Sequence, residues 1–458
     1  MNKIYLFFVV ILLSVSVQGK VNTGNSPKRI EITNDKPING QVIYADTYYV
    51  IKDVIDLKGA SVSVPRGSTL KFEGGEMANG KVIGNDTYID ASPIAVFSEN
   101  ILLEGTFLAS DAYPEWFADK DDAVKIRRSV ELFDNVKLTA KHYVLESVDE
   151  NGYGMTIPSG HILRGNRKAN NTMADDQVLK MKRGIKYKAV VALSTSSVIE
   201  NLTIWGEGVE GTAGVATATG FQSRLTISNV GVSGCYYGFN LQTYLTSISQ
   251  CVANYNQVGF YVHGSYTGNT ISVEGTSVNM STCFAVDSRK TGYDIAGITY
   301  STMNNCAADG CGALTSGTLD NRTEIGYAYS FYQCKNLAVN SCGAEACLAA
   351  LKTYNCKNII FNSPSYLIAI RDKVNASKGY QLQPIINISY SAYIEINLPF
   401  LEMSRVKKYY TDRTPLVLLY GSAMSSPSLT ICNGYEGIKE SNIKTEGYLT
   451  KTKNLIFR

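Results

Sequence analysis

The chain has 458 residues, of which 45% are hydrophobic and 18% charged. It is apolar enough for a large core, which excludes a disordered chain. Lys plus Arg number 43 against 40 Asp plus Glu, so the formal +3 leaves no basic footprint for nucleic acid or anionic lipid. Gly 39, Tyr 30 and only 11 Pro, with many Asn, Ser and Thr, favour strands joined by tight turns and exclude an all-helical protein.

Residues 1–19 read as a cleavable signal peptide: Lys3 is the positive start, Ile4 to Val17 the apolar stretch, and Val17-Gln18-Gly19 the small-residue cleavage site. That stretch is short for a membrane span, and no later run approaches spanning length, so no transmembrane segment is expected. No Cys follows it to carry a lipid anchor. The mature chain is expected to start at Lys20 and to be exported, either periplasmic or secreted.

Residues 20–112 read as strand-rich coils, with Ala60-Ser61-Val62-Ser63-Val64 and Ser68-Thr69-Leu70-Lys71-Phe72 as strands and Gly74-Gly75, Asn79-Gly80 and Gly84-Asn85 as turns. A single amphipathic helix follows near 121–134. Ala123, Ile126, Val130 and Phe133 share one face, and the acidic run Asp119, Asp121, Asp122 caps its start rather than binding metal. Such a helix covers the open end of a strand array. Trp116 is read as a packing residue, and His142 and His161 as structural.

From about residue 198 the sequence repeats. Gly238-Phe239-Asn240-Leu241-Gln242 is followed by Gly259-Phe260-Tyr261-Val262-His263, then Cys283-Phe284-Ala285-Val286-Asp287, then Gly312-Ala313-Leu314-Thr315. The steps 238 to 259, 259 to 283 and 283 to 312 are 21, 24 and 29 residues, a period of stacked supersecondary units. With strand-like alternation and no helix between strands, the expected fold is all-β, a parallel β-helix. A main helix over 113–380 and C-terminal strands over 381–458 complete the expected organisation.

Of the 10 Cys, none precedes Cys235, Cys432 stands alone, and the rest lie between Cys235 and Cys356. Cys251, Cys306 and Cys334 take matching places in their coils, which predicts an inward stack of free thiols rather than disulfides. Cys306 with Cys311, and Cys342 with Cys347, lack the His partners of a metal site.

These repeats resemble those of the right-handed parallel β-helix superfamily, which includes pectate lyases and phage tailspikes. Val64-Pro65-Arg66-Gly67-Ser68-Thr69-Leu70-Lys71-Phe72-Glu73-Gly74-Gly75 is similar to the N-terminal coils of exported bacterial and phage members. Tyr113-Pro114-Glu115-Trp116-Phe117 is similar to the segment entering the main helix, with Ala118-Asp119-Lys120-Asp121 where many members have a Gly-Asp-Gly turn. The resemblance spans roughly residues 40–365. It implies the fold and a polysaccharide partner. Lyases of this fold use Lys, Arg, His or Tyr for proton transfer, often with Ca2+ on the substrate carboxylate, so Ca2+ is an admissible ion here with no assigned ligand. Some members trimerise, and no motif of this chain sets its oligomeric state.

Period-two alternation turns Phe260 and Val262 inward and Tyr261 and His263 outward, with Asn240 and Gln242 beside them from the preceding coil. The repeat as read places Asp287 next in the column, followed by Arg289. His263 beside a carboxylate stays basic, Tyr261 passes a proton, and Arg289 or Lys290 neutralises a uronate. The expected catalytic set is therefore His263, Tyr261, Asp287 and Arg289. Insertions at Gly206–Gly220, Gly264–Asn269, Ser288–Gly297 and Ser316–Gly326 wall the same face. With the strands they carry the expected substrate-binding residues Asn240, Gln242, Tyr244, Tyr266, Lys290, Tyr293 and Arg322.

The expected activity is β-elimination in an acidic, uronate-containing polysaccharide, pectin-like or glycosaminoglycan-like. The alternatives are a glycoside hydrolase, with Asp287 paired to Asp294, Asp309 or Glu345, and a non-catalytic glycan-binding solenoid. No Asp-Asp pair with a downstream Gly-His-Gly marks the polygalacturonase branch.

Overall fold

The computed structural model describes residues 28–140, 142–166, 178–268, 270–312, 326–347, 349–368, 384–397, 399–402, 416–421, 428–432, 443–447 and 455–457. The expected signal peptide and Arg322 with its loop lie outside the described residues.

Among the described residues two long parallel sheets dominate, one of 21 strands and one of 12, with strands pairing in register with their counterparts one coil later. A six-stranded parallel sheet over residues 29–108 precedes them. This is the parallel β-helix expected, nearly all-β, with one α-helix among the described residues. No helix there is long and apolar enough to cross a membrane.

The helix, Asp122–Leu132 (α1), is capped by Asp121, whose carboxylate accepts from Ala123 N at 2.8 Å. It buries Ala123, Ile126 and Val130, touching the Ile101–Leu108 strand on one side and the Tyr153–Ile157 strand on the other. It therefore joins the N-terminal coils to the main stack, and one hydrophobic core runs from Ile32 to Ile443. Trp116 is buried there, with Nε1 donating to Ser92 O at 3.0 Å. His161 faces Phe133 O and Asp134, a structural role.

The cysteines show how the corners are turned. Gln250, Thr282, Asn305 and Ser341 hold left-handed backbone at one corner of four successive coils, with φ of 54°, 53°, 52° and 50°. Each is followed by a buried cysteine: Cys251, Cys283, Cys306 and Cys342. The thiol donates to the carbonyl two residues back at 3.3, 3.4, 3.5 and 3.5 Å; Ser281 O, Asn304 O and Asn340 O also accept the corner N–H of the preceding coil, so the thiol takes their second lone pair. Cys311, Cys347, Cys334 and Cys356 repeat the motif at other corners. All nine cysteines from Cys235 to Cys356 are free and buried. One correction follows: Cys334 stacks over Cys356, not in the column of Cys251 and Cys306, because its strand Tyr329–Tyr332 belongs to the 12-stranded sheet.

Aromatic rings stack along the interior of the 12-stranded sheet. Phe239 lies 4.7 Å from Phe260, Phe260 5.0 Å from Tyr293, and Tyr293 5.2 Å from Tyr329, all within 7° of parallel. Each aromatic follows a small residue near the start of its strand: Gly238, Gly259, Gly292 or Ala328. At Gly259 a side chain would meet Gly292 O at 2.5 Å, so only glycine fits.

Candidate active site

The outer face of the 12-stranded sheet carries the candidate site on the strands Tyr237–Tyr244, Val258–His263, Thr291–Ala296, Tyr329–Tyr332 and Leu351–Tyr354. Register aligns Asn240, Tyr261, Asp294, Ser330 and Lys352 in one outward column, and Gln242, His263, Ala296, Tyr332 and Tyr354 in the next. Adjacent members sit roughly one strand spacing, 4.7–4.9 Å, apart.

This register overturns part of the expected constellation. The coil after Gly259-Phe260-Tyr261-Val262-His263 is Gly292-Tyr293-Asp294-Ile295-Ala296, not Cys283 to Asp287. Phe284–Val286 instead pairs with Val252–Asn254 in the 21-stranded sheet. The cause is an antiparallel hairpin, Ser265–Thr267 against Thr270–Val273, inserted directly after His263. It lengthens this coil, so counting along the chain lands one strand early.

Asp287 is consequently a buried corner residue with φ 47°, its N–H donating to Asp309 O, and it lies outside the column. Arg289 follows at the same corner, its N–H donating to Asn256 O. Lys290 reaches Tyr236 Oη at 2.8 Å, four residues before Asp294 and roughly 13 Å along an extended strand, away from the site. Tyr293 points inward, not toward substrate. Fully buried in the ring stack, its hydroxyl lies 2.7 Å from Cys283 O and 3.0 Å from Ala307 O. Tyr244 packs on Phe221, with ring centroids 5.0 Å apart and not among the residues around the cleft described below.

The structure does bring Tyr261, His263, Tyr266, Asn240 and Gln242 together. His263 stacks on Tyr261 at 4.3 Å between ring centroids, with Tyr266 tilted at 5.6 Å from the hairpin. Tyr261 Oη donates to Tyr266 Oη at 3.1 Å. His263 Nδ1 donates to Gly264 O at 2.7 Å, and Nε2 lies 3.1 Å from Asn240 Oδ1, a contact in which the neutral ring accepts from the Asn240 amide NH2 once that amide is turned over. Both ring nitrogens are thus engaged, and the residue beneath His263 is Ala296 rather than a carboxylate. Burial pushes the imidazole pKa down, favouring the neutral ring.

Residues far along the sequence complete a cleft of about 300 Å³, lined by Tyr261, Tyr266, Asp294, Ser330, Lys352 and Tyr354 among others. Asp294 is its carboxylate. Burial raises the Asp294 pKa to about 6, opposed by the Ser330 hydrogen bond and the Lys352 charge. Burial likewise raises Tyr261 and Tyr266, so both phenols keep their protons at neutral pH. Tyr332 and Tyr354 stack on each other at 5.6 Å and extend an aromatic strip along the cleft. Ser330, Lys352, Tyr332 and Tyr354 were absent from the expected set, and Asp294 entered it only as a hydrolase partner for Asp287. The match between Gly292-Tyr293-Asp294-Ile295 and Gly259-Phe260-Tyr261-Val262 was the available signal for Asp294.

The cleft does not fit calcium. Its lining has one carboxylate, faced by an ammonium group, and no three His, Cys, Asp or Glu side chains converge among the described residues.

No protein-family profile and no curated protein sequence matches this chain. Solved structures do. A tailspike of an Acinetobacter phage aligns with TM-score 0.52 and 12% identity over 76% of this chain and 61% of its own. Full-length tailspike protein 2 of an Escherichia coli O157:H7 bacteriophage aligns with TM-score 0.51 and 13% identity, over 75% of this chain and 47% of that one. The enzymatically active domain of the bacteriophage CBA120 tailspike protein 2 gives TM-score 0.51 and 13% identity, covering 75% and 52%. The chain thus spans about half to three fifths of the length of these tailspikes. With its parallel strand ladders, it has the parallel β-helix fold of the tailspike proteins.

Proposed function

We propose that the chain is an exported enzyme that cleaves a uronate-containing polysaccharide by β-elimination in the Asp294 cleft. The observation that carries this reading is the convergence of three chemistries there: a carboxyl poised near pH 6, an ammonium group and a hydrogen-bonded pair of protonated phenols. Lys352 neutralises the substrate carboxylate, which acidifies the neighbouring C5 proton. Asp294, ionised above about pH 6, takes that proton. The electron pair forms the C4–C5 double bond as the C4–O bond breaks. Tyr266, held by Tyr261, protonates the leaving oxygen. Water then returns both groups to their starting states. His263, with both nitrogens occupied, positions Tyr261 rather than carrying the proton. Ca2+ has no step in this mechanism.

A hydrolase needs two carboxyls across the bond, and one lines the cleft among the described residues. Elimination therefore ranks first. The test is ultraviolet absorbance during incubation with pectate, alginate, hyaluronan, chondroitin and heparin-like chains, each with calcium and with chelator. Rising absorbance, lost in Asp294→Asn and Lys352→Met, supports the proposal. New reducing ends with flat absorbance establish hydrolysis instead, and no turnover on any chain leaves the binder.

A further inference from the structure

A larger cleft lies elsewhere, on the six-stranded N-terminal sheet. It holds about 710 Å³ and is lined by Asp46, Tyr48, Arg66, Asp86, Tyr88 and Asp90 among others. These residues belong to coils preceding α1 and share no strand with the Asp294 cleft.

Register fixes how its two tyrosines stand. Tyr48 pairs with Thr69, and Thr69 pairs with Tyr88, so the rings project from one column two strands apart. That separation is roughly 9.5 Å, close to the length of two extended pyranose units. Thr69 between them is small and buried, which leaves a floor between the rings. Tyr48 is 37% exposed and Tyr88 40%, although both sit within hydrogen-bonded strands. Exposed flat rings at this spacing suit the C–H faces of alternate sugars in a chain.

The charges define which chain. Asp46, Asp86 and Asp90 line the cleft against one guanidinium, Arg66, which pairs with Asp86 at 3.0 Å. Lys71 adds one charge at the edge through Asp90, at 3.1 Å, and the wall remains net negative. Uronates are repelled by such a wall, whereas carboxylates readily accept from the vicinal hydroxyls of neutral sugars. Asp46 N–H donates to Arg66 O at 3.2 Å, and the absence of a side chain at Gly67 leaves room for its carboxylate, since a Cβ there would come within 2.5 Å of Oδ1.

We infer that this cleft is a second glycan-binding site, specific for a neutral polysaccharide chain and independent of the proposed catalytic cleft. It tethers the protein to neutral glycan.

Affinity electrophoresis of the full mature chain through gels containing xylan, mannan, β-glucan, galactan or starch tests this, with pectate and alginate as acidic controls. Retardation by at least one neutral polymer is expected. The double variant Tyr48→Ala/Tyr88→Ala should lose about tenfold or more in affinity, given the usual worth of aromatic stacking. Its unchanged thermal melting would show that the coils remain folded. Asp294→Asn should bind the neutral polymer like the wild type, which separates this site from the catalytic reading. No retardation by any neutral polymer overturns the inference. So does retardation that the tyrosine variant keeps, or retardation by acidic polymers alone.

Discussion

The Asp294 carboxyl offers the sharpest test, because the same burial that prepares it for proton transfer leaves a signature in stability. Its pKa rises from 3.8, the value of an unperturbed carboxyl, to about 6, and desolvation is the largest cause. Between those two pH values the folded protein keeps a proton that the unfolded chain has lost. The sign follows directly. This group contributes its full stability below about pH 3.8, and that contribution is lost as pH rises through about 6. At 1.36 kcal/mol per pH unit, the change is about 3 kcal/mol. Asp294→Asn has no proton to lose. Urea unfolding of both proteins from pH 3.5 to 7.5 should therefore show the variant gaining about 3 kcal/mol relative to wild type as pH rises. Turnover should run the opposite way, rising through about pH 6 in the wild type as the base ionises and collapsing in the variant. A stability difference that stays flat across this range would refute the argument, since Asp294 would then be an ordinary solvated carboxylate.

Four further outcomes follow from the same geometry. Lys352 lowers the Asp294 pKa through its charge, so Lys352→Met should move the acidic limb of the pH–rate profile above 6 and raise KM for uronate polymers, while Lys352→Arg restores part of both. Tyr266→Phe removes the proton donor and should cut kcat by roughly 10²–10⁴ with little change in KM, as steady-state kinetics on a defined oligosaccharide would show. His263→Gln should keep the limb near pH 6, because both ring nitrogens already have partners; a limb that vanished would return the proton transfer to His263. The nine buried thiols from Cys235 to Cys356 should resist Ellman's reagent in the native protein and react once it is unfolded in guanidinium, and fast native labelling of Cys306 would contradict the corner packing.

Some of this molecule is legible without coordinates. The alternation in Gly259-Phe260-Tyr261-Val262-His263 reports which side chains face in, since a strand turns successive residues to opposite faces. The thiols are legible as buried because no pairing pattern explains them, and the helix because Asp121 and its apolar stripe are local signals. The active-site column is different. Asp294 stands beneath Tyr261 only because the 265–273 hairpin absorbs residues that would otherwise form the next strand. Tyr293, polar and next to a candidate acid, is internal because two backbone carbonyls await its hydroxyl inside the stack. Lys352 reaches the site from a strand two coils further on. Local pattern thus determines the inward or outward direction of each side chain. Neighbourhood across coils is decided by the hydrogen-bond ladder and the ring stack over the whole coil, because an insertion of any length can leave the ladder intact while shifting which residues meet.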